Sequence, residues 1–196
     1  MKALIIVDLQ YDFLPGGSLA VTKGDEIIPI INQIQKDYDL IVATQDWHPG
    51  NHQSFASEHP DHAVYDEIDL HGLQQILWPE HCVQGTVGAE LARDLDNRRI
   101  EIIFRKGMDP TVDSYSAFFD NGKRKDLGLA AYLKYKKVTQ VHVCGLAADF
   151  CVYYTAMDAL SEGFKTSIIS KATKPIDKGA FMEKKNLFIR QGGTLI

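Results

Sequence analysis

Cys151 is placed by its surroundings where covalent chemistry is feasible. The run Val141-His142-Val143-Cys144 reads as a short strand that stops at Gly145, turns through Leu146-Ala147-Ala148 and restarts as a helix over 148–161 with Asp149 in its first turn. A cysteine there meets the unpaired N–H groups and positive dipole end of a helix, which favour a thiolate. Strand, tight turn and nucleophile at a helix start suit acyl transfer. On this stretch alone a buried cysteine packed as a small hydrophobe fits equally well.

Three other reactive groups fall at comparable positions. Apolar runs at 3–7, 39–44 and 100–104 read as strands, and they lead into Asp8, Asp46 and Lys106. Ligands of open parallel sheets bind beyond the carboxyl ends of the strands, so these groups and Cys151 should meet along one edge. Singly, Asp8 could cap a turn and Lys106 could be a solvated loop charge; four at strand ends argue for a site. A second constellation is Asp46-Trp47-His48-Pro49-Gly50-Asn51-His52, followed by Trp78-Pro79-Glu80-His81-Cys82. Asp-x-His offers oxygen and nitrogen donors together, and a distant histidine could complete a set suited to zinc, iron or manganese. Asp-x-His by itself is a weak pattern. His59, His62 and His71 read as surface residues, and His142, inside a strand, as a hydrogen-bonded core histidine.

The elements that must hold these groups alternate. After the first strand come a break at Pro15-Gly16-Gly17 and a helix over 25–36, and after the second strand a long segment, 46–88. That segment has little periodicity apart from a short helix expected near 70–77, and it carries both tryptophans and six of the seven histidines. Irregular segments of this length in compact domains are usually functional or disordered, and its aromatic content speaks against disorder. A short helix at 88–95, the third strand, a helix at 127–135, a strand at 140–144, the helix at 148–161, a strand at 166–170, a helix at 178–190 and a terminal strand at 194–196 follow. The expectation is one α/β domain over 1–196: a Rossmann-like, three-layer architecture with a mostly parallel six-stranded sheet, helices on both faces and a long insertion at about 46–88.

Composition narrows the partners. A net charge of −5 argues against nucleic acid or an anionic membrane as the main partner, and no apolar run approaches the ~20 residues of a membrane span. The first ten residues read as a strand and not as a signal peptide. Three cysteines without paired spacing fit reduced thiols, so a cytoplasmic protein is expected. No G-x-G-x-x-G follows a strand, which disfavours a dinucleotide-binding domain, and Gln10 stands where a phosphotransferase using Asp8 would carry a second acid.

In this order along the chain, VDLQYDF (7–13), TQDWHPGNHQSF (44–55), WPEHCVQGT (78–86), FRKGMD (104–109), DSYSAF (113–118) and GLAADFCV (145–152) resemble the isochorismatase-like cysteine hydrolases, and within them the nicotinamidases, also known as pyrazinamidases. The resemblance implies a catalytic triad of Asp8, Lys106 and Cys151, an oxyanion hole from the amides of Ala147 and Cys151, and a non-proline cis peptide at Leu146–Ala147. It implies one divalent metal ion, zinc first and iron or manganese otherwise, on Asp46, His48 and His81. Some members use a histidine near position 52 as a further ligand and others do not, which leaves His52 open. Phe13, Trp78, Tyr115 and Ala147 would line the substrate slot. The implied activity is metal-dependent hydrolysis of nicotinamide, with pyrazinamide as a further substrate, through a cysteine thioester in NAD salvage. The alternatives are an amidase of the same superfamily acting on carbamoyl or ureido compounds, and a non-enzymatic pyridine-binding module. The expected partner is a small molecule, with a homo-oligomer left open.

Overall fold

A computed structural model describes residues 1–196. In chain order its elements are β1 (Lys2–Val7), α1 (Ile28–Ile34), β2 (Leu40–Asp46), β3 (Glu67–Leu70), β4 (Leu73–Ile76), β5 (Ile102–Lys106), α2 (Leu129–Tyr135), β6 (Gln140–Leu146), α3 (Cys151–Ser161), β7 (Lys165–Lys174), α4 (Lys178–Arg190) and β8 (Thr194–Leu195). Six strands form one sheet in the order β5-β2-β1-β6-β7-β8, and every pairing in it is parallel. The α/β architecture expected from the alternating pattern is therefore present.

The period of two along β1 decides which side each residue serves. Leu4 and Ile6 join a core with Ile27, Ile28 and Ile31 around α1, while Ala3, Ile5 and Val7 join a second core with Leu129, Leu133, Val152, Ala156 and Phe188 from α2, α3 and α4. A strand buried on both faces has no polar alternation to show, which is why these segments read as continuous apolar runs. The first core also takes in Trp78 and Cys82, so the long insertion packs as part of the α1 layer.

Four expectations need correcting. The helix expected near 70–77 is the antiparallel hairpin β3–β4, whose two turn residues, His71 and Gly72, both have positive φ (54° and 82°). That is the backbone of a tight two-residue hairpin turn, and Ile68, Leu70 and Leu73 flank it with the spacing of strands. The helix expected at 88–95 is reduced to a 3-10 turn, Val87–Ala89. α3 begins at Cys151 and not at 148, so Asp149 precedes the helix. β7 runs on to Lys174, with an irregular register opposite Val143 and Gly145. Its far end accepts the Ala148 N–H on Lys174 O at 2.8 Å, which ties it to the turn before Cys151.

Gly145 shows why that turn needs a glycine. Its φ is +109°, and a Cβ there would lie 2.0 Å from the Val7 carbonyl oxygen. The approach brings the end of β6 against the end of β1. The peptide after Leu146 is cis.

His142 is the core histidine expected: Nδ1 pairs with Tyr38 Oη at 2.8 Å and Nε2 with Gln140 Nε2 at 2.8 Å. Burial, with Lys2 and Lys165 nearby, lowers its pKa in the fold. A depressed histidine contributes stability that is present above the unfolded value, ~6.5, and is lost as pH falls through the folded one. The wild type should therefore lose more stability between pH 7 and pH 5 than His142→Gln, measured by denaturant midpoints at both pH values.

Candidate active site and metal centre

The four strands β5, β2, β1 and β6 are neighbours, and each delivers one group at or just beyond its carboxyl end: Lys106, Asp46, Asp8 and Cys151. Asp46 and Lys106 are directly paired in register. All four are buried, with Asp8 fully so and Lys106 only 1% exposed.

Lys106 is the hub. Its Nζ lies 2.8 Å from Asp8 Oδ2 and 3.1 Å from Asp46 Oδ1, and donates to Ser114 O at 2.9 Å and Cys151 Sγ at 3.5 Å. The contacts to Ser114 and Cys151 are hydrogen bonds, whereas those to the two carboxylates are ion pairs without hydrogen-bond alignment. Burial alone would discharge Lys106, but Asp46, Asp8 and Cys151 outweigh it and hold its pKa well above the usual lysine value. On Asp8, Oδ1 accepts from Thr44 Oγ1 at 2.6 Å, whereas Oδ2 has no hydrogen-bond donor in line. Burial raises the Asp8 pKa against the pull of Lys106.

Cys151 departs from the expectation of a depressed thiol. Burial pushes its pKa well above the ordinary cysteine value; Lys106 opposes this, and Asp8 and Asp46 reinforce it. The Ala147 and Cys151 amides are absent from the protein's hydrogen bonds, which leaves both N–H groups available. The turn that presents them is braced from outside: buried Asp149 accepts the N–H groups of Ile176 and Asp177 at 2.9 and 2.8 Å, and Lys184 Nζ donates to Asp149 O at 2.6 Å.

Asp46, His48 and His81 converge beside this group. Asp46 Oδ2 is 3.0 Å from His48 Nε2 and 3.5 Å from His81 Nε2. The other nitrogen of each ring faces a backbone carbonyl, His48 Nδ1 at 2.9 Å from Gly107 O and His81 Nδ1 at 2.8 Å from Pro79 O. A carbonyl only accepts, so each Nδ1 is the donor and each neutral Nε2 turns a lone pair toward Asp46. Two lone pairs and a carboxylate facing one another call for a cation between them, and the set fits a divalent metal. Although burial disfavours charge there, Asp46 raises the His48 pKa, so the surroundings favour positive charge at that point.

The insertion is rigid here because its two motif segments are zipped together: His48 N donates to Cys82 O, Gln84 N to His48 O, Trp78 N to Ser54 O and Ala56 N to Trp78 O, at 2.8–3.0 Å. Phe55, fully buried, packs against the rings of His48, His52 and His81 with centroids 5.4–5.7 Å apart. His52 lies beside His48, its ring centroid 4.3 Å away.

A cavity joins the two centres. It is lined by the polar groups of Asp46, His81 and Asp113 and by Ala147 and Cys151, with Phe13, Leu19, Trp78, Tyr115, Phe150 and Ile176 as walls. The expected slot residues Phe13, Trp78, Tyr115 and Ala147 are all among them. Tyr115 Oη accepts from Gln75 Nε2 at 3.0 Å and Trp78 Nε1 at 3.1 Å, which fixes both rings. Asp113, Phe150, Ile176 and Leu19 had no role in the sequence reading. Asp113 lies in the DSYSAF stretch, where only its motif position could have marked it; Ile176 is brought in from beyond β7, which no local pattern announces.

Comparison with known proteins identifies the family. The Isochorismatase domain model matches residues 2–193. The nicotinamidase of Acinetobacter baylyi is 48% identical over 181 residues, covering 92% of this chain and 85% of that protein. The solved nicotinamidase/pyrazinamidase of Acinetobacter baumanii superposes with a TM-score of 0.97 at 45% identity, covering 100% of this chain and 95% of the other. The pyrazinamidase of Pyrococcus horikoshii, solved in complex with zinc, gives 0.81 at 36% identity, covering 100% and 98%.

Gly107 supplies a test of the metal centre that alters no donor. Its φ is +66°, and a Cβ there would lie 2.5 Å from His48 Cε1 and 2.7 Å from Asp46 Oδ1. Gly107→Ala should weaken zinc binding by on the order of 10–100-fold, as loss of supporting contacts around metal ligands does. Competition with a chromophoric chelator measures this, with circular dichroism as the check on folding.

Proposed function

This chain belongs to the isochorismatase-domain family, and we propose that it hydrolyses nicotinamide to nicotinic acid and ammonia, with pyrazinamide as a second substrate. The observation that carries this reading is the aromatic-walled cavity lined both by the Cys151 thiol, which Lys106 contacts together with Asp8, and by Asp46 and His81 of the carboxylate–imidazole cluster. A flat ring fits between Phe13, Trp78 and Tyr115 with its carboxamide at Cys151 and its ring nitrogen toward Asp46 and His81. A divalent ion held by Asp46, His48 and His81, zinc first and iron or manganese otherwise, would supply a Lewis-acidic centre for the pyridine nitrogen.

The chain's own residues then divide the work. Cys151 Sγ attacks the carboxamide carbon as Asp8 Oδ2 removes the thiol proton. Lys106 stabilises the sulfur's developing negative charge, and the Ala147 and Cys151 amides receive the oxyanion. Asp8 returns the proton to the departing nitrogen, ammonia leaves, and a thioester remains. Water then attacks the thioester as Asp8 takes its proton; the C–S bond breaks and Asp8 passes that proton to the departing sulfur, giving the acid and restoring the thiol. The aromatic walls exclude bulk water meanwhile. Release of nicotinic acid would return nicotinamide to NAD salvage.

A carbamoyl or ureido substrate would leave the aromatic walls and the cluster without a task, and a pure binder would have no use for Cys151.

Ammonia release from nicotinamide by the purified protein tests the proposal. Cys151→Ala should show no turnover, Asp8→Asn should lose about 10²–10⁴-fold in kcat, and Asp46→Ala should lose metal and raise KM. Equal turnover of an N-carbamoyl compound, or turnover by Cys151→Ala, would refute the proposal as stated.

A further inference from the structure

His52 is fully buried, and the mechanism above gives it no task. Its Nδ1 accepts the backbone N–H of Ser54 at 3.1 Å and lies 2.7 Å from Ser54 Oγ. A ring nitrogen that accepts an amide proton carries the lone pair, so the neutral imidazole bears its proton on Nε2. This is the reverse of His48 and His81, whose Nδ1 atoms face carbonyl acceptors and whose Nε2 lone pairs are free for a metal. His52 Nε2 is buried and has no hydrogen-bond partner in the protein. A buried donor is normally satisfied, so this one points to an acceptor that arrives with the ligands of the site.

Beside it stands the complementary group. Donor atoms of His52, His48 and Asp113 lie within 4.8 Å of one another, and Asp113 Oδ1 is 4.0 Å from His48 Nε2. Asp113 is buried and lines the cavity. Its Oδ1 already accepts the Ser114 N–H at 2.6 Å, and its Oδ2 has only Gln75 Nε2 at 3.5 Å. A buried donor and an acceptor thus stand beside His48, with ligand atoms of the three residues within 4.8 Å of one another.

We propose that His52 is a positioning residue and not a metal ligand: its Nε2–H donates to, and Asp113 accepts from, one water molecule in the coordination sphere of the ion at Asp46, His48 and His81. This rests on the reading of that cluster as a metal centre. A water so held has its lone pairs and protons assigned, one lone pair to the ion, one to His52 and a proton to Asp113. The pair therefore sets both the affinity for the ion and the orientation of a water that faces the cavity.

The test uses the full chain loaded with cobalt(II), in which imidazole ligands give strongly shifted, solvent-exchangeable N–H resonances. The wild type should show two, from Nδ1–H of His48 and His81, and His52→Gln, which keeps an N–H donor, should show the same two and bind zinc within about 3-fold of wild type. His52→Leu and Asp113→Asn should each weaken zinc binding by about 10–100-fold. A third shifted resonance in the wild type that disappears in His52→Gln would make His52 a ligand and overturn the proposal. Unchanged zinc affinity in both His52→Leu and Asp113→Asn would overturn it as well. No shifted resonances in the wild type, or their persistence in Asp46→Ala, would instead remove the metal centre itself, which separates failure of that reading from failure of this one.

Discussion

The structure around the site depends on one buried ammonium. Lys106 is 1% exposed, and a lysine so enclosed is tolerable only where opposite charge meets it at close range. Asp8 and Asp46 do so from β1 and β2, the next two strands across the sheet, at 2.8 and 3.1 Å. Remove the ammonium and two carboxylates face each other in the interior; remove either carboxylate and the charge is under-compensated. The same Nζ reaches Cys151 Sγ, so the electrostatics that hold the strand ends together also act on the sulfur. Stability and chemistry here are not separable contributions.

That arrangement is available only because the sheet is parallel. Parallel strands bring their carboxyl ends to one edge, and the order β5-β2-β1-β6 puts four groups there in sequence across the sheet. Chain direction alone does not set the remaining distances. Gly145 allows the end of β6 to close against Val7, and Gly107 allows the chain after Lys106 to pass within contact of His48 and Asp46. The insertion is fixed in turn by backbone pairing between its two motif segments, so the histidines have rigid mounts although little of the segment is regular.

How much of this could be read from the chain follows from the range of the interactions. β1, β2 and β6 are apolar runs whose pattern is local, and the groups at their ends could be placed on one edge from topology rules alone. The hairpin β3–β4 is ambiguous locally, since Leu70, Leu73 and Leu77 also fit a helical spacing; His71-Gly72, a pair suited to positive φ, decides for a turn. Asp149 was placed inside the helix because its contacts, the amides of Ile176 and Asp177, come from far along the chain. The helix start that favours a Cys151 thiolate is visible in sequence, while the burial that raises the thiol is a property of the whole fold. Asp113 and Ile176 enter the cavity through tertiary packing and have no periodic signature.

The charge of the enclosed region ties its two halves together. The buried acidic residues Asp8, Asp46 and Asp113 outnumber the one buried lysine among them, Lys106. Low-polarity surroundings do not tolerate such an excess. A proton can offset part of it, and the rise in the His48 pKa expresses that tendency. A proton on Nε2, however, uses the lone pair that the Gly107 carbonyl has oriented toward Asp46. A divalent cation offsets the excess and takes that lone pair as a ligand. The hydrogen bonds that set the tautomers of His48 and His81 and the charge count that Lys106 leaves unbalanced thus favour the same occupant, although they arise from different parts of the chain.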